Sequence, residues 1–302
     1  MILCLCPNPS VDKYAWIEKF TPGKVHRISK EQHFPGGKGI HVAMAIKELR
    51  EEVAILGFWA GPTGEWIRNQ CQAMGIPTYG PEVPGWSRIC ISFRSDTMYN
   101  NTELISCGPT VNEKDFENFT QSFQALMADA NCITMSGSWP QGAQGDEYAQ
   151  LVTLANDQQK PVILDCAGQQ LLNGLKVKPY AVHVNLTEGK AALHEEFPQT
   201  MATHLLQYCE YAAITAGEEG LYLAHENALI HAKCPVGKVY STVGCGDCLV
   251  GGLAIAHKQG LDLLQTARIA TACGSANCMR PELGMLYKND VDKLLDQVMF
   301  LK

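Results

Sequence analysis

The sequence predicts an α/β fold of three layers, with helices on both faces of a mostly parallel central sheet and a small β lid. Three observations carry that prediction. Short β-type apolar runs alternate with longer helical patterns along most of the chain. Several runs are nearly continuous in Val, Ile, Leu and Cys, as expected when both faces of a parallel strand are covered. Two segments break the alternation with β-like pieces that have no helix between them. Strand–helix alternation requires parallel crossovers, whereas the two exceptions suit a separate small antiparallel sheet.

Strands of the main sheet are expected at 2–6, 53–58, 132–135, 162–164, 181–184 and 212–215. Helices are expected at 38–50, 63–74, 112–128, 145–158, 199–209, 246–259, 262–278 and 290–300. Thr110 and Glu113 have capping-box spacing ahead of the third of these. The lid segments, 12–35 and 77–105, hold β-like pieces at 14–20, 25–30, 88–94 and 98–105. With no repeat, low-complexity tract or linker, residues 1–302 are expected to form a single domain carrying this lid.

A chain of 302 residues, 46% hydrophobic, can bury a large core. Its net charge of −7 and pI of about 5.7 exclude a global basic field for nucleic acid. An anionic ligand must therefore be held by a local cluster of donors. The opening MILCLCPNPS lacks a cationic leader and a full secretory apolar region, and no stretch approaches the ~18–20 apolar residues of a membrane helix. The expectation is a soluble, cytoplasmic protein without nucleic-acid or membrane partners. The 13 cysteines are odd in number and scattered, many of them inside apolar runs, which suits reduced core thiols.

The strongest chemical motif is Ser241-Thr-Val-Gly-Cys-Gly-Asp-Cys-Leu-Val-Gly-Gly252, a glycine-spaced turn entering an apolar helix. Free amides at such a helix start form an anion site. Asp247 falls in the first turn, where it either caps the helix or takes a proton from an attacking hydroxyl. The motif matches neither the P-loop nor the dinucleotide fingerprint G-x-G-x-x-G, and Cys245 to Cys248 is formally C-x-x-C without the second pair that zinc sites use. A second cluster, Pro35-Gly-Gly-Lys-Gly-Ile-His-Val, opens another helix and adds the cation Lys38. It suits a phosphate or polyol, or equally a flexible turn with a solvated lysine.

Asp12 after the first strand, Gly36-Gly-Lys-Gly39, Asn185-Leu-Thr-Glu188 and Thr242-Val-Gly-Cys-Gly-Asp247 occur in an order and spacing that resembles the ribokinase-like (PfkB) carbohydrate kinases. Asn8-Pro-Ser-Val-Asp12, Val25-His-Arg-Ile28, Asn101-Thr-Glu-Leu104 and Gly108-Pro109 narrow the resemblance to the branch containing 1-phosphofructokinase and tagatose-6-phosphate kinase. It implies ATP-dependent phosphorylation of a ketohexose phosphate, with ATP as co-substrate and Mg²⁺ as cofactor. In its terms Asp247 is the catalytic base and Gly244, Cys245 and Gly246 belong to the anion hole. Asp12, Gly36, Gly37, His41, Asn101 and Glu103 would meet the sugar, and Arg27, Lys38 and Arg88 its phosphate. Asn185, Thr215, Gly217, Gly220, Thr242 and Ser275 would border the nucleotide. Asn185 and Glu188 would order Mg²⁺, largely through water.

The chain departs from that pattern at three places. Cys245 stands where the loop usually has alanine, His41 where the glycine-rich helix has asparagine, and His183-Val184 where Lys-Pro precedes Asn185. Cys245, at a helix N-terminus, is expected to have a lowered pKa and moderate reactivity. The lid is expected to form a homodimer contact that covers Tyr14, Trp16, Ile17, Ile89, Ile91 and Phe93. Open alternatives are a sugar- or nucleotide-binding regulator on the kinase scaffold and a kinase of this family for another sugar or a nucleoside.

Overall fold

The computed structural model describes residues 1–95 and 102–301. The chain opens with β1 (Ile2–Cys6), β2 (Ser10–Trp16), β3 (Lys30–Gly36) and α1 (Lys38–Glu48). Next come β4 (Val53–Gly57), β5 (Trp59–Ala60), α2 (Gly61–Ala73), β6 (Thr78–Tyr79), β7 (Glu82–Val83), β8 (Arg88–Arg94) and β9 (Thr102–Ile105). The middle of the chain is α3 (Glu113–Met127), β10 (Cys132–Ser136), α4 (Glu147–Asp157), β11 (Val162–Asp165), α5 (Gly168–Lys176) and β12 (Ala181–Asn185). It continues through α6 (Leu186–Leu193), α7 (Pro198–Leu205), β13 (Tyr211–Thr215), β14 (Leu221–His225) and β15 (Ala228–Lys233). The last elements are α8 (Cys245–Gln259), α9 (Leu263–Cys278), α10 (Lys288–Leu295) and β16 (Met299–Leu301).

Among the described residues the main sheet has ten strands in the order β16-β15-β14-β13-β12-β11-β10-β1-β4-β6. Pairing is parallel from β6 to β13 and antiparallel from β13 to β16. The alternation of β1 shows why the sheet needs cover on both faces. Ile2, Cys4 and Cys6 enter one apolar core with α1, α8 and α9, while Leu3 and Leu5 enter the other with α3, α4, α5 and α7. The expected three-layer α/β fold with a mostly parallel sheet is the one observed.

The second sheet, in the order β3-β2-β8-β9, supplies the lid. It is mixed rather than antiparallel, because β2 and β8 pair in parallel. These strands belong to two separate excursions from the main domain and run through the lid in the same direction. Pro35 is tolerated in β3 because that strand lies at the sheet's edge. Residues 25–29, expected as strand, form a loop in which Val25 is 97% exposed, and Lys30 begins β3. The 77–105 excursion is also narrower than expected, since β6 joins the main sheet and β7 pairs with β5. The expected strand at 98–101 lies outside the described residues.

Other differences are local. The box ahead of α3 uses Asn112 and Asp115, whose side chains and amides bond reciprocally, while Thr110 bridges to Gln141. Asparagine is the better cap, and it sits one residue before the helix. The expected helix at 290–300 stops at Leu295, and Met299–Leu301 instead pairs with β15. No described helix is long and apolar enough to cross a membrane.

Candidate active site

A cavity of about 1170 Å³ lies between the lid, the N-terminus of α8 and the carboxyl ends of β11, β12 and β13. Parallel α/β sheets place ligands outside the carboxyl ends of their strands. Asp165, Asn185 and Thr215 are the terminal residues of these three strands.

The 241–247 loop forms one wall. Gly244 is the N-cap of α8 at φ 88°, ψ −6°, a left-handed conformation that glycine adopts without a Cβ penalty. No side chain caps the helix, and its first ladder bond runs from the Cys248 N–H to the Gly244 carbonyl at 2.9 Å. The amides of Gly246 and Asp247 therefore precede the ladder and present their dipoles to the cavity. The Cys245 N–H instead donates to the Thr242 carbonyl at 3.3 Å. A Cβ at position 246 would approach His183 Cε1 to 3.0 Å, so glycine lets the loop lie against that ring.

Asp247 is 6% exposed, and its Oδ2 lies 2.9 Å from His41 Nδ1. His41 Nε2 lies 3.2 Å from Asp12 Oδ2, an ionic contact outside straight hydrogen-bond geometry. One buried imidazole thus spans two carboxylates. Burial alone would lower its pKa, but Asp12 and Asp247 outweigh burial and push it up to about 10. Burial would raise Asp12, whereas His41, Ser10 and Arg88 hold it below the usual carboxylate range. Ser10 Oγ donates to Asp12 Oδ1 at 2.6 Å, fixing the carboxylate from the other side.

A second charge cluster lies beside Asn185. Lys38 Nζ is 3.1 Å from Asp165 Oδ1 and 3.4 Å from Glu188 Oε1. Burial would lower the Lys38 pKa, yet Asp165, Asp247 and Glu188 hold it above its ordinary value. Asp165, pushed up by burial, is held well below the usual range by Lys38 and His183. His183 Nδ1 donates to Asp165 Oδ1 at 2.9 Å, and its Nε2 lies 3.2 Å from Thr215 Oγ1. Asn185 and Glu188 form a capping box at the start of α6, each side chain bonding the other's amide at 2.9 Å.

The lid contributes Asp12, Arg88 and Glu103 to the cavity wall. Arg88 is anchored through Nε to the Asn8 carbonyl at 3.0 Å, and Glu103 accepts from Ser92 Oγ at 3.0 Å. Gly37, Lys38 and His41 line the same cavity from the start of α1. At its other end are Thr215, Gly217, Gly220, Thr242 and Ser275, with Asn185 and Glu188 between the two.

Two expected contacts do not line this cavity. Arg27 is exposed on the loop between β2 and β3. Gly36 is packed behind Asp12, where an added Cβ would fall 2.1 Å from the carboxyl carbon. Asn101 lies outside the described residues. Lys38 is in the cavity but already paired with two carboxylates, which places it beside Asn185 rather than as an unpaired cation. The Cys245 pKa is raised rather than lowered. Its hydrogen bond with Cys278 and its burial outweigh the helix dipole, and Cys278 is the thiol held below the usual value by that bond.

Sequence reasoning missed Asp165, Asn277 and Cys278. Asp165 carried a usable signal, because it ends the apolar run Val-Ile-Leu-Asp at a strand's carboxyl end. Asn277 and Cys278 end a long helix and meet the loop only in three dimensions.

A model of the pfkB family carbohydrate kinases matches residues 10–286. A 1-phosphofructokinase of Bacillus subtilis is 31% identical over 99% of this chain and 98% of its own length. A tagatose-6-phosphate kinase of Staphylococcus epidermidis is 30% identical over the same shares. The crystal structure of phosphofructokinase-2 from Escherichia coli in complex with potassium covers 98% of both chains with a TM-score of 0.92, at 24% identity, which speaks to the fold. With its lid, its glycine-capped helix and its sequence similarity running nearly end to end, this chain belongs to the pfkB family of carbohydrate kinases.

Proposed function

We propose that this protein transfers the γ-phosphoryl group of ATP to a hydroxyl of a ketohexose phosphate, fructose 1-phosphate or tagatose 6-phosphate, with Asp247 as the base. The observation that carries this proposal is Asp247 itself. It sits beside uncapped helix-start amides in a cavity that also receives Asp12 and Arg88 from the lid. His41 holds one carboxylate oxygen of Asp247, which leaves the other for the proton of an acceptor hydroxyl. As that proton moves to Asp247, the hydroxyl oxygen bonds to the γ-phosphorus, the bond to the β-phosphate oxygen breaks and ADP leaves. The Gly246 and Asp247 amides and Lys38 offset the charge on the transferring group, so alignment and fixed dipoles do most of the work.

Asp12 would accept from sugar hydroxyls, and Arg88 would hold the acceptor's phosphate. Thr215, Gly217, Gly220 and Ser275 would border the nucleotide. Magnesium fits this site as an ion held mainly through water. Glu188 and Asn185 each spend an oxygen on their capping box, and no group of three ligating side chains forms a ready cation cage among the described residues. When bound, Mg²⁺ would supply neutralising charge to the phosphates, with Glu188 and Asn185 holding its waters.

Arg88→Ala tests the acceptor side. Arginine makes bidentate contacts to phosphate, and a charged hydrogen bond contributes about 1.5–3 kcal/mol. The variant should raise KM for the sugar phosphate by about 10–100-fold while leaving KM for ATP near the parent value. Equal effects on both substrates would remove Arg88 from the acceptor site.

The same reading includes a homodimer through the lid. Tyr14 and Ile17, expected to need a partner, are buried within the chain, but Ile89 and Leu104 are 39% and 53% exposed on the face of β8 and β9 that turns away from the cavity. An apolar face of this kind at a sheet edge invites pairing. Light scattering at micromolar concentration should give twice the chain mass of 33.1 kDa, and Leu104→Glu should shift the protein toward monomer. A parent mass of one chain contradicts the dimer.

A further inference from the structure

We propose that Cys245 and Cys278 form a dithiol site for hydroperoxides, at which oxidation joins the two sulfurs and displaces the 241–247 loop at the nucleotide end of the cavity. The Sγ atoms stand 2.9 Å apart although the residues are 33 positions apart in sequence. A disulfide bond is about 2.05 Å long, so closure needs a movement of about 1 Å. Both thiols line the cavity and are only partly buried, so a small oxidant in the cavity can reach them. Cys248 and Cys273 on the same two helices are buried, and Cys248 Sγ turns toward the Gly284 carbonyl at 3.7 Å.

The surroundings divide the labour between the two sulfurs. Cys245 Sγ lies against both Cys278 Sγ and Asn277 Oδ1, the latter at 3.2 Å. With Cys245 donating to it, Cys278 carries the more stable thiolate and is the first nucleophile. Its sulfur attacks a peroxide oxygen, the O–O bond breaks, and the departing hydroxide takes a proton to become water. Cys278 is then a sulfenic acid. The Cys245 sulfur attacks the sulfenyl sulfur, the S–O bond breaks, and the hydroxide leaves as water with the Cys245 proton. One hydrogen peroxide and two thiols thus give one disulfide and two waters, and an added dithiol reverses the change.

Cys245 is the first residue of α8 and Cys278 the last of α9. The bond would tie the loop whose amides face the cavity to the end of the neighbouring helix, and the displacement of about 1 Å that bond formation needs would misplace those amides against a nucleotide phosphate. The chemistry of the pair is independent of phosphoryl transfer, whereas its effect on turnover rests on the function proposed above.

The test treats the reduced protein with hydrogen peroxide, with and without saturating ATP, then maps peptides without reduction. The expected product is a peptide joining Cys245 to Cys278, two hydrogens lighter than its parts, formed more slowly with ATP. Activity should be lost in step with the cross-link and return with dithiothreitol. Cys278→Ser, scored against its own untreated activity, should show no dithiothreitol-reversible loss. Absence of the cross-linked peptide overturns the proposal, and so does a cross-linked enzyme that retains its turnover. If the peptide forms but the reduced protein turns over no sugar phosphate, the dithiol site stands and the kinase function fails.

Discussion

Asp247→Asn is expected to lower kcat by about 10²–10⁴-fold, the range lost when a general base is removed. The substitution is nearly isosteric, and an amide oxygen still accepts from His41 Nδ1, so the 2.9 Å contact and the packing of α8 should persist. ATP affinity should change little, because the amides of the loop are untouched. Parallel loss of kcat and kcat/KM would mark an interaction made in the transition state. A kcat within about threefold of the parent would exclude Asp247 from base chemistry.

His41→Ala is expected to cost about 3–5 kcal/mol of stability, as when one member of a buried charge cluster is removed. The loss follows from position: Asp12 and Asp247 are 8% and 6% exposed, and without the imidazolium their buried charges lose the cation that lies between them. His41→Asn, which keeps one donor for a carboxylate, should recover part of the loss. The pH dependence has a defined sign. The folded-state pKa of about 10 lies above the ordinary 6.5, so this stabilisation is complete below 6.5 and drains away as pH rises through about 10. Urea unfolding midpoints should therefore fall across that window in the parent and fall less in His41→Ala. An alanine variant as stable as the parent, or a parent that gains stability over the window, contradicts a charged His41.

The layered fold was legible because strands such as Ile2–Cys6 and Val53–Gly57 are apolar throughout, a pattern that few folds other than a doubly covered parallel sheet can bury. The helices α5 and α6 were not, since each is short and follows its strand with almost no turn. The lid's strand composition was readable, but its register was not, because β2 meets β8 only across distant sequence. Within the site, the helix-start loop and the glycine-rich entry to α1 announced themselves through glycine spacing. The charge bridges did not. That His41 joins Asp12 to Asp247, or that Lys38 is spent on Asp165 and Glu188, depends on which side chains the layers bring face to face. The same holds for Cys245, whose helix-start position pointed to a lowered pKa until Cys278 was found against its sulfur.

The central claim is an ATP-dependent phosphorylation of a sugar that already carries a phosphate. Coupled ADP release measures it most directly, across fructose 1-phosphate, tagatose 6-phosphate, fructose 6-phosphate, free hexoses, ribose and nucleosides. The expected result is turnover with fructose 1-phosphate or tagatose 6-phosphate above every unphosphorylated acceptor, abolished in Asp247→Asn. Preference for a free sugar or nucleoside, or ligand binding without ADP release on any acceptor, would contradict it.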